Sequence, residues 1–326
     1  MNQLLKHLGA GLGAVLLLCA GAAQAQVKDF PNHPVRLIVA FPAGGGTDIV
    51  ARIVAPELTK VWGQQVVIDN RAGAAGVIGT EMAAAAPPDG YTLFIGTLGN
   101  LSVNQHLYKM GINPQTAFAP ITQVVDVFFV LEAYPGLPLK NVQDLIVMAK
   151  AEPGKVTFSS SGAGGAPHLA GELFNRMAGV KMVHVPYKGS APSFQDLMGG
   201  QVSVTFDSLV QSLPFIRDNR LRPLAVLGKN RTPQLPDVPT VSESGLPGYE
   251  LTNWFGMVMP AAVPKDLQAK ISGDIIKVLA NPELRARIAG MSAAVVGNTP
   301  EQFGATMAAD SAKWAKVIKE TGMKAD

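Results

Sequence analysis

Two runs of small residues are the places where this sequence offers chemistry. Residues 40–48 read AFPAGGGTD and residues 159–168 read SSSGAGGAPH. Each follows an apolar, strand-like run and leads into a helix-like one. A loop of this kind presents unpaired backbone N–H groups at a helix N-terminus, where the helix dipole also favours negative charge. Glycine removes the Cβ that would keep a ligand oxygen away from the backbone. Neither loop contains Lys or Arg. The first lacks the Gly-Lys-Ser/Thr of a phosphate loop, and the second lacks the last glycine of a dinucleotide fingerprint. A polyphosphate would be under-neutralised there, whereas a carboxylate needs only a few N–H or hydroxyl donors. Either loop alone reads equally well as a tight strand-to-helix turn. As a pair they can close on one anion from two sides.

Other polar residues fall near these mouths. Asp207 ends the strand-like QVSVTFD, where it either accepts a hydrogen bond from a ligand donor or caps the next helix. His168 stands in the first turn of the second helix, as a ligand contact or as an ordinary polar helix start. Tyr187 offers a ring and a hydroxyl to a cleft, and Lys188 reads as a solvated rim charge. No catalytic set is legible. Gly-x-Ser-x-Gly is absent, and after the leader only His33, His106, His168 and His184 remain, without metal-ligand spacing. Ser161, His168 and Asp207 have no order or orienting partner that makes a triad. The sequence therefore predicts no enzyme, no cofactor and no metal.

The elements that must position the mouths alternate. VRLIVAF, QVVIDN and YTLFIG read as strands of a first series, with helices between them. KVTFSSSG, KMVHVPY, QVSVTFD and LRPLAVLG read as a second series, with APHLAGELFNRMAG as a helix closed by Gly179. Such alternation predicts βαβ units, mainly parallel sheets and ligand binding at the carboxyl ends of the strands. A proline-rich stretch, residues 230–250, reads as an extended crossing. After it come NWFGMVMP and three helices placed back on the first lobe. The division predicted is residues 1–25 as a leader, 26–127 as the first part of lobe 1, 128–229 as lobe 2, and 230–326 as crossover and return.

The leader has Lys6, an apolar core and Ala23-Gln24-Ala25 as a cleavage site. Removing it takes the only cysteine, Cys19, and leaves 27 − 1 = 26 basic against 24 acidic residues. A cysteine-free exported chain suits the periplasm, and so small a net charge gives no field for nucleic acid.

Eight ordered blocks carry a resemblance: VRLIVAFPAGGGTDIVAR, VVIDNRAGAAGVIG, PPDGYTLFIGT, SSSGAGGAPHLAGELF, VHVPYKGSAP, FDSLVQSLPFI, LAVLGKNRTPQLPDVPTVSESGLPGYE and NWFGMVMPAAVP. The sequence resembles the Bug (TctC-like) receptors, periplasmic solute-binding proteins of tripartite tricarboxylate transporters. The resemblance implies a two-lobed, type II-like Venus-flytrap fold that grips a small carboxylate without a cationic clamp. It implies membrane permease subunits as partners. A ligand-dependent signalling role, with a sensor kinase as partner, is the alternative. By motif it implies Phe41, Ala43, Gly44, Gly45 and Asp48 in the first-lobe loop and Gly96 and Thr97 beside it. Ser161, Gly162, Gly164, His168, Tyr187 and Asp207 follow in the second lobe. After IGT the run LGNLSVNQHLY departs from the small hydroxyl residues usual in the family. Leu98 and Asn100 are expected there to see the ligand's variable end.

Overall fold

A computed structural model describes residues 29–321 and 323–324; the leader and Cys19 lie outside the described residues. The strands are β1 (Val35–Val39), β2 (Val66–Asn70), β3 (Thr92–Thr97), β4 (Phe118–Val127), β5 (Phe129–Ala133), β6 (Thr157–Ser160), β7 (Val183–Pro186), β8 (Val204–Ser208), β9 (Arg222–Val226), β10 (Asn253–Pro260) and β11 (Ala293–Val295). The helices are α1 (Gly46–Trp62), α2 (Val77–Ala84), the single turn α3 (Pro114–Ala117), α4 (Val142–Ala151), α5 (Ala166–Ala178), α6 (Ser190–Met198), α7 (Leu209–Arg217), α8 (Lys265–Leu279), α9 (Pro282–Ala289) and α10 (Pro300–Thr321).

The strands form two sheets, β2-β1-β3-β10-β4-β11 and β7-β6-β8-β5-β9. Each is the core of one lobe, and both repeat one plan. Three parallel strands (β1, β2, β3 and β6, β7, β8) are joined by antiparallel strands, β10 in one sheet and β5 in the other. The sheets are therefore mixed, not mainly parallel as the sequence suggested. The cause is the crossing of the chain. β5 and β10 enter their sheets from the cleft side, so they run against strands that end there.

One residue, Phe128, separates β4 in the first sheet from β5 in the second. The return path lies beside it: Leu227 N–H donates to Phe129 O at 2.9 Å, and Leu251 N–H donates to Leu227 O at 2.9 Å. Two crossings, held to each other by backbone bonds, join the lobes.

Local sequence explains the element ends. Gly63 closes α1 and Gly179 closes α5 in the left-handed conformation, each bonded back to a carbonyl of the last turn. Asn141 caps α4, Ser208 caps α7 and Asn281 caps α9 through their side chains. Leu37, Ile38 and Val39 of β1 have no exposed surface, because helices cover both faces of the sheet. The tail packs on the first lobe. The Phe303 ring of α10 meets Trp254 edge-on at 5.2 Å, Trp254 Nε1–H donates to Asp310 Oδ2 at 2.8 Å, and Ser102 Oγ–H donates to Met307 O at 3.0 Å.

Phe303→Ala should remove a fully buried ring and cost about 3–5 kcal/mol. Urea unfolding checks this, and a loss under about 1 kcal/mol would show that α10 is not part of the folded lobe.

Candidate functional site

The carboxyl ends of β1, β3, β6 and β8 and the amino ends of β5 and β10 meet in the cleft between the lobes. They surround one cavity of about 30 Å³. Backbone and hydroxyl groups of Gly45, Gly46, Thr47, Thr97, Gly99, Ser161, Gly165, Ala166, Ser190 and Ser208 line it. Phe41, Phe129, Phe255, Ala75, Pro167, Asn253 and Asp207 complete the wall. Asp207 is the one ionisable side chain among them, and among the described residues no Lys, Arg or His lines the cavity. Four helices begin at this wall: α1 at Gly46, α5 at Ala166, α6 at Ser190 and α7 just after Ser208. Their first N–H groups have no acceptor inside the helix. Each N-terminus carries roughly half a positive charge, so the cleft is electropositive without a cationic side chain.

The two glycine-rich mouths are copies of one turn. Gly44 and Gly164 have φ +81° and +78°, a conformation open to glycine. Gly45 N–H donates to Pro42 O at 3.3 Å, and Gly165 N–H donates to Gly162 O at 3.1 Å. The third helical residue then reaches back. Gly44 N–H donates to Asp48 Oδ2 at 2.9 Å, and Gly164 N–H donates to His168 Nδ1 at 3.0 Å. The second bond requires a lone pair on Nδ1, which makes His168 a neutral ring with its proton on Nε2. Asp48 also accepts from Arg52 Nε at 2.7 Å and from Asn70 Nδ2 at 3.0 Å. Burial pushes its carboxyl up, but the Arg52 guanidinium, the Gly44 amide and Asn70 together hold it below the ordinary carboxylate value. His168 stacks on His184 at 4.0 Å, and His184 Nε2 is hydrogen-bonded to Ser160 Oγ at 2.6 Å.

A third loop, between β2 and α2, closes the side. Ala74 and Ala75 both adopt positive φ, +46° and +49°, a strained choice for alanine. Asn100 Nδ2 at 3.1 Å and Asn104 Nδ2 at 3.0 Å donate to Ala75 O and hold it there. Asn100 Oδ1 in turn accepts from Thr97 N–H and Oγ1–H at 3.2 and 3.0 Å.

Small residues let the lobes touch at backbone distance. A Cβ on Gly46 would lie 3.1 Å from Ser208 Oγ, and one on Gly162 would lie 3.0 Å from Ala75 Cα. Gly189 abuts Pro42 in the same way. Tyr108 O–H donates across the seam to Ala163 O at 2.6 Å.

Of the residues expected at the site, Phe41, Gly45, Thr97, Ser161 and Asp207 line the cavity. The others do not. Ala43 and Gly44 face solvent. Asp48 and His168 shape the two mouths from behind. Gly96 is covered by Leu101 and Phe94, Gly162 lies against Ala75, and Gly164 lies against Leu107 and Asn104. Tyr187 O–H donates to Asp196 Oδ2 at 2.6 Å; burial and Asp196 push its phenol up to about 12. Leu98 belongs to the core, and the Asn100 amide is spent on Thr97 and Ala75, so neither reaches the cavity. Gly46, Thr47, Gly165, Ala166, Pro167, Ser208 and Phe255 also line it and lie inside the motifs read above without having been singled out as site residues, whereas Ala75, Gly99, Phe129, Ser190 and Asn253 were missed. The RAGAAG run was the one signal for Ala75; the others have no local signature.

Asp207 is 2% exposed. Its Oδ1 accepts from Ser208 N–H at 2.6 Å, and its Oδ2 has no hydrogen-bond partner. Burial pushes the carboxyl up to about 6, against the pull of the Ser190 hydroxyl and the Ser208 amide.

The model of the tripartite tricarboxylate transporter family receptor matches residues 50–323, and the chain belongs to that family, TctC or Bug. Protein BugT of Bordetella pertussis is 35% identical over 99% of both chains. The structure titled R. palustris Rpa4515 with adipate is 37% identical, covers 91% of this chain and 99% of that one, and superposes with a TM-score of 0.88. MatC (Rpa3494) from Rhodopseudomonas palustris with bound malate is 29% identical, with 89% and 100% covered and a TM-score of 0.84. The fold is thus the two-lobed periplasmic-binding-protein fold, and the family consists of periplasmic solute-binding receptors of transporters, not enzymes.

Two predictions follow from the buried carboxylates. Asp207 folded titrates near 6 against an ordinary 3.8. The folded state holds the proton more tightly, so stability falls as pH rises from about 4 to about 6. Asp207→Asn should therefore be more stable than the parent at neutral pH, by about 1–3 kcal/mol. The gap should close near pH 4, as followed by thermal unfolding. Asp48 is depressed, so its contribution is present above the ordinary value 3.8 and is lost as pH falls below it. Asp48→Asn should cost about 1–3 kcal/mol at neutral pH, with the difference shrinking in acid.

Proposed function

We propose that this chain captures one small carboxylic acid in the interlobe cleft and delivers it to the membrane permease subunits of a tripartite tricarboxylate-type transporter. The observation that carries the reading is the convergence of four helix N-termini on a cavity lined by no cationic side chain. Such a cavity favours a compact anion with few charges over a polyphosphate. The adipate and malate named for the two superposed structures are small carboxylates of low charge. Export through a leader cleaved near Ala25 is part of the same proposal; it falls on residues outside those described.

The ligand acts through Phe41, Gly45, Gly46, Thr47 and Thr97 of the first lobe and Ser161, Ala166, Ser190 and Ser208 of the second. The cavity, about 30 Å³, has room for a few waters and not for a dicarboxylic acid. Loading therefore requires the lobes to part at the crossings and close again. Each charge-assisted bond in the water-excluded site contributes roughly 1.5–3 kcal/mol, and binding to the closed form better than to the open form drives closure.

A thermal-shift series of small mono-, di- and tricarboxylates tests the reading. A ligand at about 100 times its Kd should add about 2.7 kcal/mol of stability. Gly46→Val, which sets a branched side chain against Ser208 and Phe255, should weaken that ligand by roughly 100-fold or more in calorimetry. Its unfolding temperature without ligand should stay close to the parent's. Undiminished affinity would place the ligand elsewhere.

A further inference from the structure

The cavity is chemically one-sided. Helix N-termini and hydroxyls supply donors around most of the wall, while Asp207 supplies a buried acceptor oxygen, Oδ2, that makes no hydrogen bond of good geometry, although the Ser190 hydroxyl stands near enough to pull on the carboxyl. Leaving such an oxygen without a donor in a dry site is costly. We infer that the ligand is bipolar: a carboxylate meets the helix N-termini, and a hydroxyl or ammonium on the same molecule donates to Asp207 Oδ2. Asp207 is then the residue that selects among carboxylic acids. This rests on the carboxylate reading above and narrows it.

The surroundings favour a donor at that pole over a second carboxylate. The titratable and charged side chains on elements packed against β8 are Glu132 on β5, His168, Glu172 and Arg176 on α5, Asp196 on α6 and Arg217 on α7. None of them lines the cavity, so no cationic side chain there offsets the negative charge of Asp207, which would repel a second carboxylate. Glu132 lies on the same sheet face, since Val130 pairs with Asp207 and Glu132 with Thr205. Burial pushes its carboxyl well above the ordinary value; the Ser212 hydroxyl opposes this and the Asp207 charge adds to it. The faces of Phe41, Phe129 and Phe255 in the same wall suit a ligand ammonium as well as an apolar carbon chain. A donor-bearing ligand prefers ionised Asp207, so its affinity falls as pH drops through about 6.

Calorimetry at neutral pH with two matched series tests this: succinate, malate and aspartate, then adipate, 2-hydroxyadipate and 2-aminoadipate. The hydroxyl and ammonium members separate the two donor sources. In at least one series a donor-bearing acid should bind roughly 10–100-fold tighter than its parent. In Asp207→Asn, whose carboxamide can itself donate to a second carboxylate, that preference should shrink or reverse. The inference is overturned if the unsubstituted diacids bind the parent protein as tightly as their derivatives. It is also overturned if they bind best with uptake of one proton, read from the buffer dependence of the binding heat; that would make protonated Asp207 the donor. In both cases the carboxylate reading survives. Failure of every acid in both series to bind would remove the carboxylate reading and this inference with it.

Discussion

The convergence of helix N-termini on one cavity, with no cationic side chain among the described residues that line it, is the constraint from which the rest of the structure follows. A peptide N–H cannot be moved by a rotamer change; it points where its helix points. Donors from four helices therefore meet only if four helices start at one place, and helices start where parallel strands end. That explains why β1, β6, β7 and β8 all finish at the cleft, and why the strands that enter from the cleft, β5 and β10, must run antiparallel. The mixed sheets follow from the wiring of the site. The glycines follow too, because amides can approach an anion, and each other's lobe, only where no Cβ intervenes.

Side chains serve this arrangement from behind. Asp48 and His168 each spend themselves on the glycine amide four residues earlier, and Asn100 and Asn104 pin the strained Ala75 carbonyl. These residues are as buried as core leucines and as polar as ligand contacts. Their role is to fix amide directions to within the tolerance a hydrogen bond allows. Of the described buried side chains with an atom lacking a well-formed hydrogen bond, Asp207 is the one in the cavity wall, and its burial is a cost to the fold.

Much of this was legible in the sequence. Strand, glycine-rich loop and helix follow each other in plain order at both mouths, and Gly179 and the helices after Lys265 announce themselves through caps and apolar spacing. The antiparallel strands were harder. Sheet neighbours such as β10 and β3 are set by where the chain returns in three dimensions, and no local pattern in NWFGMVMP encodes direction. Asp48, His168 and Gly164 carry the residue types of a binding site, but whether such a residue faces a ligand or braces a loop depends on a bond to an amide four positions away. Ser190 and Asn253 became visible only once β8 and β10 brought them to the same wall.

The two halves come close to being a palindrome: equal strand order, equal turn, the same reach of a helix residue to a glycine amide. A container with that much internal repetition would hold a small guest in either sense. The repetition breaks where Phe41 answers Ser161, and where the third parallel strands end in Thr97 on one side and in Asp207 and Ser208 on the other. Those mismatched pairs give the chamber a head and a tail. Exchanging residues between them is the shortest route by which a receptor of this build could turn its cargo around.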